Sequence, residues 1–168
     1  MDSRIGYDTD YLAWTEEQAR LLREASRERI NTPIDWENVA EEIESMGRSE
    51  LRAVESALVR VIEHLLKLEY SPASEPRGNW RRTVREQRDQ TIDGLEDSPS
   101  LRGKIDLTKA YRRGRDYAAE GLEQDRLSAD LMPADCPYSL EQLLDTGWWP
   151  TNRHGLACPH RFCSEPAK

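Results

Sequence analysis

The sequence predicts an all-α fold, a bundle of five to six helices around a long central helix near residues 49–69. A short C-terminal helix and a Trp-Trp-Pro segment are expected to fold back on it. Three observations predict this. Apolar residues recur at three- and four-residue spacing along most of the chain. Capping residues, prolines and glycines interrupt those stripes where helices should start and stop. No stretch alternates apolar with polar residues as a half-buried strand does, and no hairpin-type turn signal occurs. At 168 residues the chain has the size of one domain. We read it as a single helical domain over residues 1–150 followed by a polar tail over 151–168.

The elements follow in order. Asp8 or Thr9 is placed to cap a first helix marked by Tyr11, Trp14, Gln18, Leu21, Leu22 and Ala25. Residues 30–34 read as a linker, because Pro33 disfavours helix at Thr32. Asp35 caps a second helix with Trp36, Val39, Ala40, Ile43 and Met46 as its stripe, and Gly47 stands where a left-handed C-cap belongs. Ser49 then opens the strongest stripe: Leu51, Val54, Leu58, Val61, Ile62, Leu65 and Leu66. The segment 71–78 carries two prolines and a terminal glycine and reads as a loop. Asn79 is expected to cap a fourth helix with Trp80, Val84, Ile92 and Leu95 inward. Ser98-Pro99 suits the start of a further helix reaching Leu122, although Gly103, Gly114 and Gly121 weaken it. Pro133 and Pro137 force an extended entry to a last short helix at Leu140 to Asp145, with Ser139 as cap and Glu141 or Gln142 returning the bond. Trp148-Trp149-Pro150 ends it and is expected to form a lid, because adjacent tryptophans need large buried surfaces.

Charge is zoned. The net charge is −8, from 24 basic and 32 acidic residues. Residues 1–69 carry −7, residues 70–115 carry +4 and residues 116–168 carry −5. The chain as a whole repels nucleic acid, while its middle can attract a phosphate. Arginines supply 20 of the 24 basic residues, which favours two-pronged contacts with oxyanions. No apolar run is long enough for a membrane span and the N-terminus lacks a signal-like stretch. Three late cysteines, Cys136, Cys158 and Cys163, imply no disulfide framework, and a cytoplasmic setting is expected.

Nine short motifs occur in register. They are Tyr7-Asp8-x-Asp10 with Trp14, Asp35 with Glu41-Glu42-Ile43, Ser45-Met46-Gly47, His64-Leu65-Leu66-Lys67, Asn79-Trp80, Gln87-Arg88, Ser98-Pro99-Ser100-Leu101, Cys136-Pro137-Tyr138-Ser139-Leu140-Glu141-Gln142-Leu143-Leu144, and Trp148-Trp149-Pro150. Together, over about residues 7–150, they resemble the domain-of-unknown-function family 29 of cyanobacteria and other bacteria. The resemblance implies a compact all-α fold and no particular activity.

Candidate chemistry is sparse. His64, the one histidine of the helical body, suits a general base or metal ligand; packing against a carboxylate is its plainer role. Asp10, Glu41 and Glu42 could hold a Mg²⁺ ion, though helix capping and pairing with arginine account for them more simply. No Glu-x-x-His occurs, which removes the carboxylate-bridged two-metal reading. Arg81, Arg85 and Arg88 share a helix face beside Trp80 and can grip a phosphate or a partner; their simpler role is pairing with Glu37, Glu41 and Glu44. His154, Cys158, His160 and Cys163 crowd four potential zinc ligands without the usual paired spacing. No cofactor and no metal are expected, and no Gly-rich phosphate loop or nucleophile elbow is present. The expected function is a protein-interaction or regulatory module, with Trp148 or Trp149 anchoring another protein or a second copy of the chain. Two alternatives stay open: an enzyme or small-ligand binder around Asp10, Glu41, Glu42, His64 and Arg88, and nucleic-acid or phosphate binding through the arginine face.

Overall fold

The computed structural model describes residues 6–28 and 34–156. Five α-helices and two short 3₁₀ turns account for their regular structure, with no strand. The helices are α1 (Tyr11–Arg27), α2 (Trp36–Tyr70), α3 (Arg77–Asp97), α4 (Leu107–Gln124) and α5 (Leu140–Leu144). The 3₁₀ turns are Pro99–Gly103 and Ala129–Leu131. The fold is all-α around a long helix, as the stripes predict. No described helix is long and apolar enough to cross a membrane. The chain divides into two units, one of Met1–Val54 with Asp93–Ile105, the other of Glu55–Ile92 with Asp106–Lys168. Helices α2 and α3 contribute to both.

In the first unit, the cap of α1 is Asp10 rather than Asp8 or Thr9. Its carboxylate accepts the Ala13 amide at 2.9 Å and also the amide and hydroxyl of Ser100, each at 2.8 Å. Ser98 was expected to cap its own helix. Its hydroxyl instead accepts the Leu12 amide at 3.1 Å, a free donor in the first turn of α1. The segment after it is therefore a 3₁₀ turn, and the following helix restarts with Asp106 as cap. Asp35 caps α2 as expected, accepting from the Asn38 amide. Gly47 does not end a helix: α2 runs through it for 35 residues. A β-carbon there would collide with the Thr15 hydroxyl and come within 2.8 Å of Leu12 Cδ1. The glycine lets α1 and α2 touch backbone to side chain, which is why helix continues where a cap seemed due.

The second unit holds the larger core. Leu58, Val61, Ile62, Leu65 and Leu66 of α2 are fully buried, with Val84 of α3, Ala118 and Leu122 of α4, and Leu143 of α5. At Gly114 of α4, a β-carbon would lie 2.7 Å from Ile62 Cγ2 and 3.0 Å from the Val59 carbonyl. The glycine that weakens the sequence stripe is the contact point itself. Helix α3 starts at Arg77, two residues before the expected Asn79 cap, with the Pro76 carbonyl accepting the Trp80 amide. The α5 capping box forms with Gln142 as the returning side chain.

The segment read as a polar tail begins as a cap on α2. Asn152 Nδ2 donates to the carbonyls of Leu68 at 2.8 Å and Ser71 at 2.9 Å. The Arg153 amide reaches the Glu69 carbonyl, and His154 Nε2 donates to Tyr70 O at 2.9 Å. These bonds serve the carbonyls a helix end leaves unpaired. Residues 30–33 of the expected linker, and Cys158, His160 and Cys163 of the zinc reading, lie outside the described residues.

Candidate anion-binding site on helix α3

The most unusual electrostatics lie in the second unit, along one face of α3. Arg77, Arg81, Arg85 and Arg88 follow at intervals of four, four and three, so they form a row. Arg88 is fully buried, and each of its three guanidinium nitrogens makes a hydrogen bond. Its Nε donates to the Leu143 carbonyl at 2.7 Å, Nη1 to Trp148 O at 3.0 Å and Nη2 to Gln142 O at 3.3 Å. Two of these acceptors are carbonyls near the end of α5, where a cation suits both the unpaired oxygens and the helix dipole. Burial lowers the Arg88 guanidinium to about 10, with Asp145 acting against the fall.

By fixing residues 142–148, Arg88 sets the Trp149 ring over the row. The guanidinium carbons of Arg88, Arg85 and Arg81 lie 5.0, 5.8 and 5.9 Å from its centroid. Trp148 packs edge-on against Tyr138, whose hydroxyl donates to Glu69 at 2.7 Å. Both tryptophans thus fold back on their own unit, as expected of the lid.

Arg77 and Arg81 differ from Arg88. They retain only 6% and 7% exposure, yet Nε and Nη1 of each are buried without a hydrogen-bond partner. Among the described residues no ion pair involves Arg77, Arg81 or Arg85. Burial pushes both buried guanidinia below their ordinary value, and for Arg81 the neighbouring Arg77 and Arg85 add to the effect. The position compounds this. Arg77 is the first residue of α3 and no acid stands in that first turn, whereas a helix start favours negative charge. Cation–π stacking on Trp149 offsets part of the cost for Arg81 and none of it is available to Arg77 from that ring. Arg82 points elsewhere, exposed and 3.9 Å from Glu86.

The remaining candidates have separate engagements. Glu41 accepts from Arg48 at 2.5 Å and Arg23 at 3.4 Å, while Glu44 accepts from Arg23 at 2.6 Å. Within the first unit, the acidic face of α2 therefore meets arginines of α1 and its own helix. Glu42 is exposed, and Asp10 caps α1. His64 is half-buried with Nδ1 3.7 Å from Glu63 Oε1, and Glu63 is held by Lys67 at 2.7 Å and Arg60 at 2.8 Å. Within the second unit, His64 and Arg88 have different partners. Trp80 is half-buried and takes no part in the stacking on Trp149. Among the described residues no cluster of His, Cys, Asp and Glu could hold a metal ion.

Helical spacing in the sequence identifies Arg81, Arg85 and Arg88, whereas Arg77 falls in the segment 71–78 that reads as a loop. The signal was present: Arg77 lies four residues before Arg81, and Pro76 is a common helix-start residue.

Fold and site together define an all-α protein with a row of arginines, two of which, Arg77 and Arg81, are buried with no acidic partner among the described residues. The chain belongs to the family of the domain of unknown function DUF29, whose model matches residues 6–149. Among solved structures it is similar to an α-helical protein of unknown function from Rhodospirillum rubrum. The two share 28% identity with a TM-score of 0.75, over 85% of this chain and 91% of that one. A comparison with curated proteins gives no match.

Proposed function

We propose that this protein is a recognition module that takes up an anionic group of its ligand at the α3 arginines. One observation carries the reading: Arg77 and Arg81 are buried with Nε and Nη1 unpaired, and among the described residues no acid acts on either. A buried charge without a partner is costly, and natural structures supply one unless a ligand does so. Arg85, the exposed member of the row, would meet the anion first. Trp149 then acts as a wall of the site and not as a free anchor for a partner. The interaction-module expectation is thereby narrowed to one surface and one charge type, in keeping with the cytoplasmic setting read from the sequence.

The test is thermal melting in millimolar phosphate against chloride at matched ionic strength, low enough to avoid general salt stabilisation. A ligand that binds only the native state raises the melting temperature with concentration. We expect a saturable rise for the wild type and none for Arg81→Gln. Equal responses in the two proteins would end the proposal.

A further inference from the structure

The donors and charges of the row discriminate among anions. Arg77 and Arg81 each leave Nε and Nη1 unfilled, six N–H positions in all, and Arg85 adds a third guanidinium. The α3 start brings its own unpaired amides and positive dipole end to Arg77. At Gly78, the next residue, a β-carbon would meet nothing within 4 Å, so the helix start is open on that side. Three positive charges and a helix start call for more than one negative charge. A carboxylate brings one charge and two oxygens. A phosphate monoester brings close to two charges at neutral pH, with three strong acceptor oxygens. Arginine forks match such oxygens two at a time.

We infer that the group bound by Arg77, Arg81 and Arg85 is a phosphate dianion, free or as the head of a monoester. This rests on the anion-binding reading above and adds the charge state and geometry of the ligand.

The experiment is calorimetric titration of the full chain at pH 7.5 with phenyl phosphate, phenyl sulfate, benzoate and inorganic phosphate. Phenyl sulfate has the shape of the phosphate ester with one charge fewer. Phenyl phosphate should bind about tenfold tighter than phenyl sulfate or benzoate, as one additional charge-assisted contact warrants. Arg77→Gln should remove most of that preference. Arg85→Gln, at an exposed position that leaves folding intact, should weaken phenyl phosphate about tenfold on the same grounds. Inorganic phosphate binding as tightly as the ester identifies the free ion as ligand; weaker binding identifies the monoester. If the three phenyl compounds bind within twofold of one another, the dianion inference falls while the anion site stands. If none binds, the anion site falls with it.

Discussion

Arg88 and Arg81 lie two helical turns apart on α3, carry the same guanidinium and are both buried, yet they do opposite things. Arg88 has three carbonyl acceptors and closes a short helix that five residues could not sustain alone. Replacing it by Met should destabilise the protein by about 3–5 kcal/mol, because three buried acceptors lose their donor. Urea unfolding measures this, with the exposed Arg82→Ala as a reference expected to stay within about 0.5 kcal/mol. His64 makes a pH-dependent contribution. Burial holds its imidazole below the ordinary 6.5, with Glu63 opposing and Lys67 and Arg60 reinforcing. The unfolded chain then binds the proton more readily, so stability falls as pH drops below about 6.5. Glu63 is different: burial raises its carboxyl, Lys67 and Arg60 outweigh that, and the net shift is downward. Its loss of stability comes at lower pH, from its ordinary 4.5 downward. His64→Gln should therefore flatten the decline in urea midpoint between pH 7.5 and 5.5. Parallel declines in the two proteins would contradict the assignment.

The helices differ in how legible they are. The α2 stripe, the Asp35 cap and the Ser139–Gln142 box are local patterns, and local physics reads them correctly. Gly47 and Gly114 are not local. Each reads as a helix weakener from its own neighbours, and each is required by another helix that passes too close for a methyl group. Gly114→Ala should cost about 1–2 kcal/mol, the strain of separating α4 from α2 less the gain in helix propensity. Gly103→Ala, where a β-carbon meets nothing within 4 Å, should cost none of that strain. Ser98 misleads similarly, because the amide it serves belongs to α1 in another part of the sequence. The end of α4 offers the converse test. Leu127 N donates to Leu122 O and Arg126 N to Glu123 O, a Schellman ending with Arg126 at φ 60° where glycine is usual. Arg126→Gly should stabilise by up to about 1 kcal/mol, the left-handed penalty less the added chain entropy. A fall in melting temperature would show that the Arg126 side chain matters more than its backbone.

For the whole molecule the net charge is −8, yet among the described residues no acid pairs with Arg77, Arg81 or Arg85. Charge zoning made the positive middle visible in the sequence, and helical spacing made three of its arginines visible as one face. Their lack of acidic partners was not visible. Glu37, Glu41 and Glu44 have the right spacing to serve them, and only the fold commits those acids to Arg23 and Arg48. The position of Trp149 was equally hidden, since it depends on three hydrogen bonds from Arg88 across more than fifty residues of sequence. An unpartnered buried charge lowers stability, and under the proposed function that deficit is made good by the bound anion. The most direct measurement is the unfolding free energy of Arg81→Met in low-salt buffer free of phosphate and sulfate. The account predicts that this loss of a buried arginine stabilises the protein by about 1 kcal/mol or more and abolishes its response to phosphate. A variant less stable than wild type that still responds to phosphate would make Arg81 a structural residue and contradict the account.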